Sequence, residues 1–275
     1  MAPVRRARRF PSASWLWVLV GVAYFLVPLI GTLIFALQKE RGHLSLSAFQ
    51  SALSDPLFGR TFLYSSLMAA TTIALGTAII VPCAYWIHLR YHRLRPAADL
   101  LALLPFVIPP IVLVLGLIRT YSRHVQIGPV RLPAVTEVST EALLLGAYVV
   151  LALPFMYRSV DNGLRAMDVR VLSEAGQSLG AGSFTVLWRI VLPNLRSSLL
   201  SGALLTFAIV LGEFTITGFL VGDQRAFGPY LVIVGNHHAY DAAALTLLSF
   251  GLTWLAMLVI HFVTRGKQAP LAGAH

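Results

Sequence analysis

Apolar residues gather along this chain in six long runs, separated by short polar stretches. The runs cover residues 15–37, 61–87, 100–118, 142–156, 199–221 and 245–263. A hydrocarbon core takes roughly 20 residues of helix to cross, and only helices and closed barrels satisfy their own backbone there. The pattern predicts an all-α, polytopic membrane protein with six transmembrane helices, the fourth of them short. The second helix carries Ser66, Ala70, Ala74 and Ala78, four apart on one face, a stripe suited to close approach of a neighbouring helix.

Prolines punctuate the runs at Pro28, Pro82, Pro105, Pro109, Pro110 and Pro154. Each removes a backbone donor and disfavours straight helix. Residues 105–110 should therefore kink or break the third helix. The bend serves either packing or a translocation path, and it makes Pro109 and Pro110 candidate path or gate residues.

Composition agrees with a chain that lives in lipid. Hydrophobic residues make up 57% and charged residues 12%, against about 25% charged in soluble domains. The mean hydropathy is +0.76. A net charge of +10 would suggest nucleic acid in a soluble protein. Here the basic residues sit between apolar runs and form no stripe with interleaved aromatics, so no nucleic-acid partner is expected. Membrane lipid headgroups and the positive-inside rule account for them.

Orientation follows from the same residues. With the N-terminus inside, the inner segments hold Arg5, Arg6, Arg8, Arg9, Arg90, Arg93, Arg95, Arg158, Arg165, Arg170, Arg189, Arg196, Arg265 and Lys267. The outer segments hold Lys39, Arg41, Arg60, Arg119, Arg123, Arg131 and Arg225. This two-to-one bias puts both termini in the cytoplasm. The first run is longer than a signal-peptide core of about 7–15 residues and lacks a following A-x-A-like site, so it reads as a retained helix, with a twin-arginine signal as the weaker alternative. Cys83 stands alone and makes no intrachain disulfide.

The usual signatures of covalent chemistry are missing. There is no Gly-x-x-x-x-Gly-Lys-Ser/Thr loop to cradle ATP, no His-Glu-x-x-His and no Ser/His/Asp arrangement. His88 and His92 could share a helix face. Two histidines fall short of the three or more ligands of a metal site, and the segment reads as basic and interfacial. His237 and His238 fall on the outer side. Glu213, in Gly212-Glu213-Phe214, lies within the fifth run. A carboxylate there is costly, so Glu213 is a candidate path or gate residue, or a tie between helices. Asp223 and Asp241 are outer acids that could meet a docked protein.

The longest inner segment, residues 158–198, exceeds a tight helix–helix connection. Asp168 is placed as the N-cap of a helix over 169–179. Gly180 stands where helices end in a left-handed residue. A second helix over 184–191 should stop before Pro193, which restricts the residue ahead of it.

Within this segment the run Glu174-Ala175-Gly176, three residues, Gly180, nine residues, then Ile190-x-Leu192-Pro193 resembles the EAA loop of binding-protein-dependent ABC transporter permeases. The family pattern is Glu-Ala-Ala, three residues, Gly, nine residues, Ile-x-Leu-Pro. Gly176 replaces the usual third Ala, at a cost in helix propensity of about 1 kcal/mol, and Ser197 stands where a Pro is common.

The resemblance implies a type I ABC importer permease fold in the bacterial inner membrane. Residues 1–60 would hold the N-terminus, first helix and outer loop. Residues 61–264 would form the five-helix permease core with its EAA loop, and residues 265–275 a cytoplasmic tail. It implies two ATP-binding subunits that hold ATP and magnesium, with no cofactor in this chain. A second permease subunit, identical or homologous, and an extracytoplasmic solute-binding protein complete the set. The helix around Glu174 would enter a groove on the ATPase, Gly180 would aim it, and Ala175 and Gly176 would allow close approach. The chain would then be no enzyme. By general resemblance of residues 105–110 and 212–214 the cargo leans towards polyamines such as spermidine or putrescine. Phosphonate, thiamine, iron or an oxyanion are the alternatives. An ion-coupled secondary transporter or membrane-embedded enzyme would need repeats or several intramembrane charges, which the sequence does not show.

Overall fold

Backbone self-satisfaction in lipid leads to helices, and the chain is built from them almost throughout. The computed structural model describes residues 11–40, 43–121, 125–127, 130–132 and 140–265. The N-terminal arginines and residues 266–275 of the expected tail lie outside these. The order is α1 (Pro11–Leu37), α2 (Ser47–Ser54), α3 (Pro56–Leu89), a 3₁₀ turn (His92–Leu94), α4 (Arg95–Val107), α5 (Pro110–Tyr121), a hairpin of β1 (Val125–Ile127) with β2 (Val130–Leu132), and α6 (Thr140–Ala166). There follow α7 (Val169–Ser178), α8 (Ser183–Val186), a π-helical turn (Leu187–Val191), α9 (Leu192–Asn194), α10 (Arg196–Gly212), α11 (Thr215–Val221), α12 (Phe227–His237) and α13 (Ala239–Arg265).

Among the described residues four helices, within α1, α3, α6 and α13, are long and apolar enough to cross a membrane. Two bent pairs bring the number to as many as six. The third expected span is such a pair: α4 and its preceding turn meet α5 at 96°, and the break falls at Ile108–Pro109, as the proline cluster predicts. Pro105 stays inside α4.

The fifth run, expected as one helix over 199–221, is instead divided. Helix α10 ends at Gly212, Glu213 turns extended, and α11 starts afresh at Thr215. The fourth helix is not short: α6 runs to Ala166, so its C-terminal turns belong to the segment expected as a loop. Helix α3 begins before residue 61. The Asp55 carboxylate accepts the Leu57 N–H at 2.9 Å and Pro56 opens the first turn, a pairing of cap and proline legible in the sequence.

Helices α3, α6 and α10 form the middle of the bundle, and α1 lies at its edge against α13. The expected small-residue stripe does not make this contact. Thr61, Ser65, Ala69, Thr72 and Gly76 face inward, while Ala70, Ala74 and Ala78 are exposed. The correction is one of phase: the inward positions fall one or two residues before those of the chosen stripe. Two apolar cores result. One gathers Phe58, Leu144, Tyr148, Phe207, Ile216 and Phe227. The other gathers Ile80, Tyr85, Met156, Val160, Val186 and Leu195, and so fastens the α7–α9 segment to the ends of α3 and α6.

Candidate functional site

The α7–α9 segment projects from the bundle but is packed onto it. Val169, Ser173 and Gly176 form the buried side of α7, and the Tyr85 hydroxyl of α3 lies 3.2 Å from that of Ser173. The opposite side is open. Glu174 and Ala175 are exposed, and Glu174 makes an i,i+4 ion pair with Arg170 at 3.4 Å. Such a pair in water contributes little stability. Beyond the helix, Leu179 is 89% exposed and Phe184 66% exposed. Trp188, also exposed, has its ring centroid 5.8 Å from that of Phe184. Three large apolar groups thus stand in the open around one turn, the composition of a contact surface.

Gly180 makes the turn with φ +83°, the left-handed region. Its N–H donates to the Gln177 carbonyl at 2.9 Å, and the next N–H, of Ala181, donates to the Gly176 carbonyl at 3.0 Å, which closes the end of α7. Gly176 serves a different contact from the one expected. A Cβ there would lie 2.9 Å from Val186 Cγ2 and 3.1 Å from Ile190 Cδ1. Its small size admits α8 and the π turn of this same chain, not a partner. That also explains why Gly replaces Ala in the motif.

Two expectations about the loop's ends are corrected. Asp168 makes no side-chain cap: it takes φ +46° and its carboxylate leaves the α7 N–H groups alone. The second helix does not stop before Pro193. The π turn carries the chain through Ile190 and Leu192, with the Leu192 N–H donating to the Leu187 carbonyl, and Pro193 then sits in the first turn of α9, where its missing N–H costs least. The run from Ser183 to Asn194 then meets α10 at 71°.

Behind the loop lies an ionic cluster that the sequence did not single out. Asp161 of α6, its side chain 8% exposed, approaches His88 Nε2 at 2.6 Å and Arg165 Nε at 2.8 Å. Arg95 of α4 reaches the same carboxylate at 3.7 Å. The His88 side chain is 6% exposed, so it points into the bundle and is not part of an interfacial basic face. A signal existed: a lone Asp beside the fourth apolar run, opposite a His and an Arg near the second and third. Among the described residues no group of three or more His, Cys, Asp or Glu side chains is placed to hold a metal.

At the other end, Glu213 acts on the backbone beside it. Its Oε1 accepts the Ile216 N–H at 2.8 Å, and its Oε2 accepts the Thr217 N–H at 3.0 Å and the Thr217 hydroxyl at 2.8 Å. These bonds satisfy donors that the new helix α11 leaves open. Tyr148 of α6 hydrogen-bonds the same Thr217 hydroxyl, so the break is tied to the central helix. Pro109 and Pro110 lie at the other break, exposed, at the start of α5, which packs on α11. Asp241 is held by Lys39 at 2.6 Å and is committed within the chain, whereas Asp223 is exposed. Asp55 bridges α3 to α12 through the Tyr230 hydroxyl at 2.6 Å, and Arg225 pairs with Glu141 at 2.6 Å.

Comparison with known proteins supplies the context. Residues 80–268 match the family described as binding-protein-dependent transport system inner membrane component. A probable molybdenum ABC transporter permease protein of Haloferax volcanii is 30% identical over 251 residues, covering 89% of this chain and 87% of the relative. A sulfate transport system permease protein of Synechocystis is 30% identical over 237 residues, covering 82% and 84%. Among solved structures, a bacterial ABC transporter involved in the import of the acidic polysaccharide alginate superposes with TM-score 0.68 at 17% identity, covering 94% of this chain and 96% of that one. At that identity the likeness speaks for the fold.

Proposed function

The chain belongs to the family of binding-protein-dependent transport system inner membrane components, and from that premise we propose that it forms the membrane path of an ATP-driven importer for a tetrahedral oxyanion of the molybdate or sulfate class. That it is a membrane-spanning permease subunit of an ABC importer and not an enzyme follows from the family and the fold. The cargo is the further step. The relatives are named for molybdenum and sulfate, so the polyamine expectation gives way to the oxyanion alternative.

The observation that carries the coupling role is the α7 turn. A short helix with an open face, a left-handed Gly180 and the exposed Leu179 and Phe184 offers a knob to a groove. Its inner side is held to α3 by Ser173 and packs through Gly176 on Val186, which shares an apolar core with residues of α3 and α6. A push on the knob is thereby passed to the bundle, and closure of two ATPases would bias it between inward- and outward-facing states. In this reading Glu174, Ala175 and Gly180 shape the docking face, while Gly176, Ile190, Leu192 and Pro193 fix the segment to the bundle. ATP and magnesium belong to the ATPase partners, and no cofactor is assigned to this chain. An extracytoplasmic binding protein delivers the cargo, and a second permease subunit completes the path. Both termini lie in the cytoplasm. Glu213, Pro109 and Pro110 mark the two helix breaks through which such a bundle would flex.

The experiment is co-purification of the ATPase with the detergent-solubilised chain, together with uptake of radiolabelled molybdate and sulfate by the assembled complex. The double variant Glu174→Lys, Gly180→Pro should lose the ATPase while remaining folded. Retention of the ATPase by that variant would remove the docking role from α7. Uptake of neither anion by the wild-type complex would remove the oxyanion reading.

A further inference from the structure

A pocket of about 350 Å³ opens between the first turns of α3, the start of α6 and the loop ahead of α12. Its volume falls in the range of small-molecule sites. Leu57, Arg60, Tyr64, Glu141, Gln224 and Arg225 line it. Four of these six carry hydrogen-bond donors. The one carboxylate, Glu141, is engaged by Arg225 at 2.6 Å. The guanidinium of Arg60 is exposed and makes no ion pair among the described residues. The Tyr64 hydroxyl is buried and has no hydrogen-bond partner among the described residues. A buried hydroxyl without a protein partner costs stability unless a water or ligand bonds it, so Tyr64 leaves one polar atom free for an occupant of the pocket.

The donors are of the kind that recognises an oxyanion. A guanidinium presents a planar fork of N–H groups, and a phenol and an amide add single donors. Glu141 holds Arg225 in place through one nitrogen and leaves the other N–H groups of that side chain for a ligand. The residues come from three separate stretches of chain, so the pocket exists only in the folded bundle. We infer that Arg60, Tyr64, Gln224 and Arg225 form an anion-receiving subsite at the outer mouth, which takes a tetrahedral oxyanion as it enters this chain. The inference rests on the importer reading above, and on the orientation that puts Arg60 and Arg225 outside.

The test uses the full complex in proteoliposomes with radiolabelled sulfate and molybdate, for the wild type and the variants Arg60→Gln, Arg60→Lys and Tyr64→Phe. Three quantities are read: anion moved per ATP, ATP hydrolysis stimulated by the loaded binding protein, and affinity for that binding protein. The expected result is a fall of about tenfold in anion moved per ATP for Arg60→Gln, the factor that 1.4 kcal/mol makes. Arg60→Lys should recover most of it and Tyr64→Phe should lose part. Stimulated hydrolysis and binding-protein affinity should hold. Unchanged anion transport in both Arg60→Gln and Tyr64→Phe, beside a wild type that transports, overturns the subsite and leaves the importer reading standing. A loss of binding-protein affinity that matches the loss of transport also overturns it, since Arg60 would then be a docking contact. A wild type that moves neither anion overturns the oxyanion reading and the subsite with it.

Discussion

Replacement of Gly180 isolates what the turn after α7 contributes. Its φ of +83° is open to glycine, while other L-residues are strained there by roughly 1–2 kcal/mol. No atom lies within 4 Å of a Cβ built at this position. Gly180→Ala therefore adds backbone strain and nothing else. If the aimed conformation of the loop must bear that strain, its population falls by about five- to thirtyfold at the stated cost. Asparagine tolerates the left-handed region better than alanine does, so Gly180→Asn should lose less. Proline fixes φ near −65° and removes the N–H now donated to Gln177 at 2.9 Å, so Gly180→Pro should lose most. The expected order of ATPase affinity is Gly, Asn, Ala, Pro. It is measured by titrating the ATPase subunit against the chain in lipid nanodiscs, with stimulated hydrolysis read in parallel. Helix content and melting temperature should hardly move, because the turn is at the surface. Equal affinity for Gly and Ala, or Asn weaker than Ala, would refute the argument that the left-handed backbone aims α7.

Other consequences follow from the buried contacts. Asp161→Ala leaves His88 and Arg95 without their carboxylate and should destabilise the bundle by about 3–5 kcal/mol, whereas Arg165→Gln, which removes a half-exposed partner, should cost about 1 kcal/mol or less; thermal unfolding in detergent separates the two. A Cβ at Gly163 would meet Leu195 Cδ2 at 2.6 Å and would also collide with Ser198, so Gly163→Val should force α6 from α10 and lower stability by about 1–3 kcal/mol or more in the same assay. Glu213→Gln replaces one capping oxygen by a donor and should cost about 1 kcal/mol. Lost uptake with unchanged melting in that variant would show instead that the charge acts on the cargo.

Much of the architecture was legible because lipid permits so few solutions. Apolar run length located the four long spans in α1, α3, α6 and α13, and the prolines at 105–110 located the break between α4 and α5. The EAA-like spacing located α7 and the turn at Gly180. What the sequence hid was phase and pairing. A hydropathy run does not say which side of α3 faces inward when Ser65, Ala69, Ala70 and Ala74 are all small. Nor does it show that a carboxylate in an apolar run, Glu213, can turn back on its own backbone and start a new helix. The Asp161 cluster joins residues far apart in the chain, each unremarkable alone. At the pocket beside α3, likewise, Arg225 is brought from far along the chain to Arg60 and Tyr64.

The π-helical turn at Leu187–Val191 has a consequence of angle. An α-helix advances 100° per residue, and a π turn accommodates one residue beyond the α count without that rotation being passed on. The stretch after Gly180 is thus wound so that Ile190 comes back onto Gly176 while Leu192 and Pro193 enter α9. Removing one residue from α8 (Ser183–Val186), ahead of the π turn, would swing Ile190 about 100° away from the glycine. Adding one would swing it the other way. The nine-residue interval in the motif is in this sense a rotational setting: it fixes the clock position at which the exposed knob is keyed to the bundle, and a chain that kept every side chain but changed the interval would hold the key at the wrong hour.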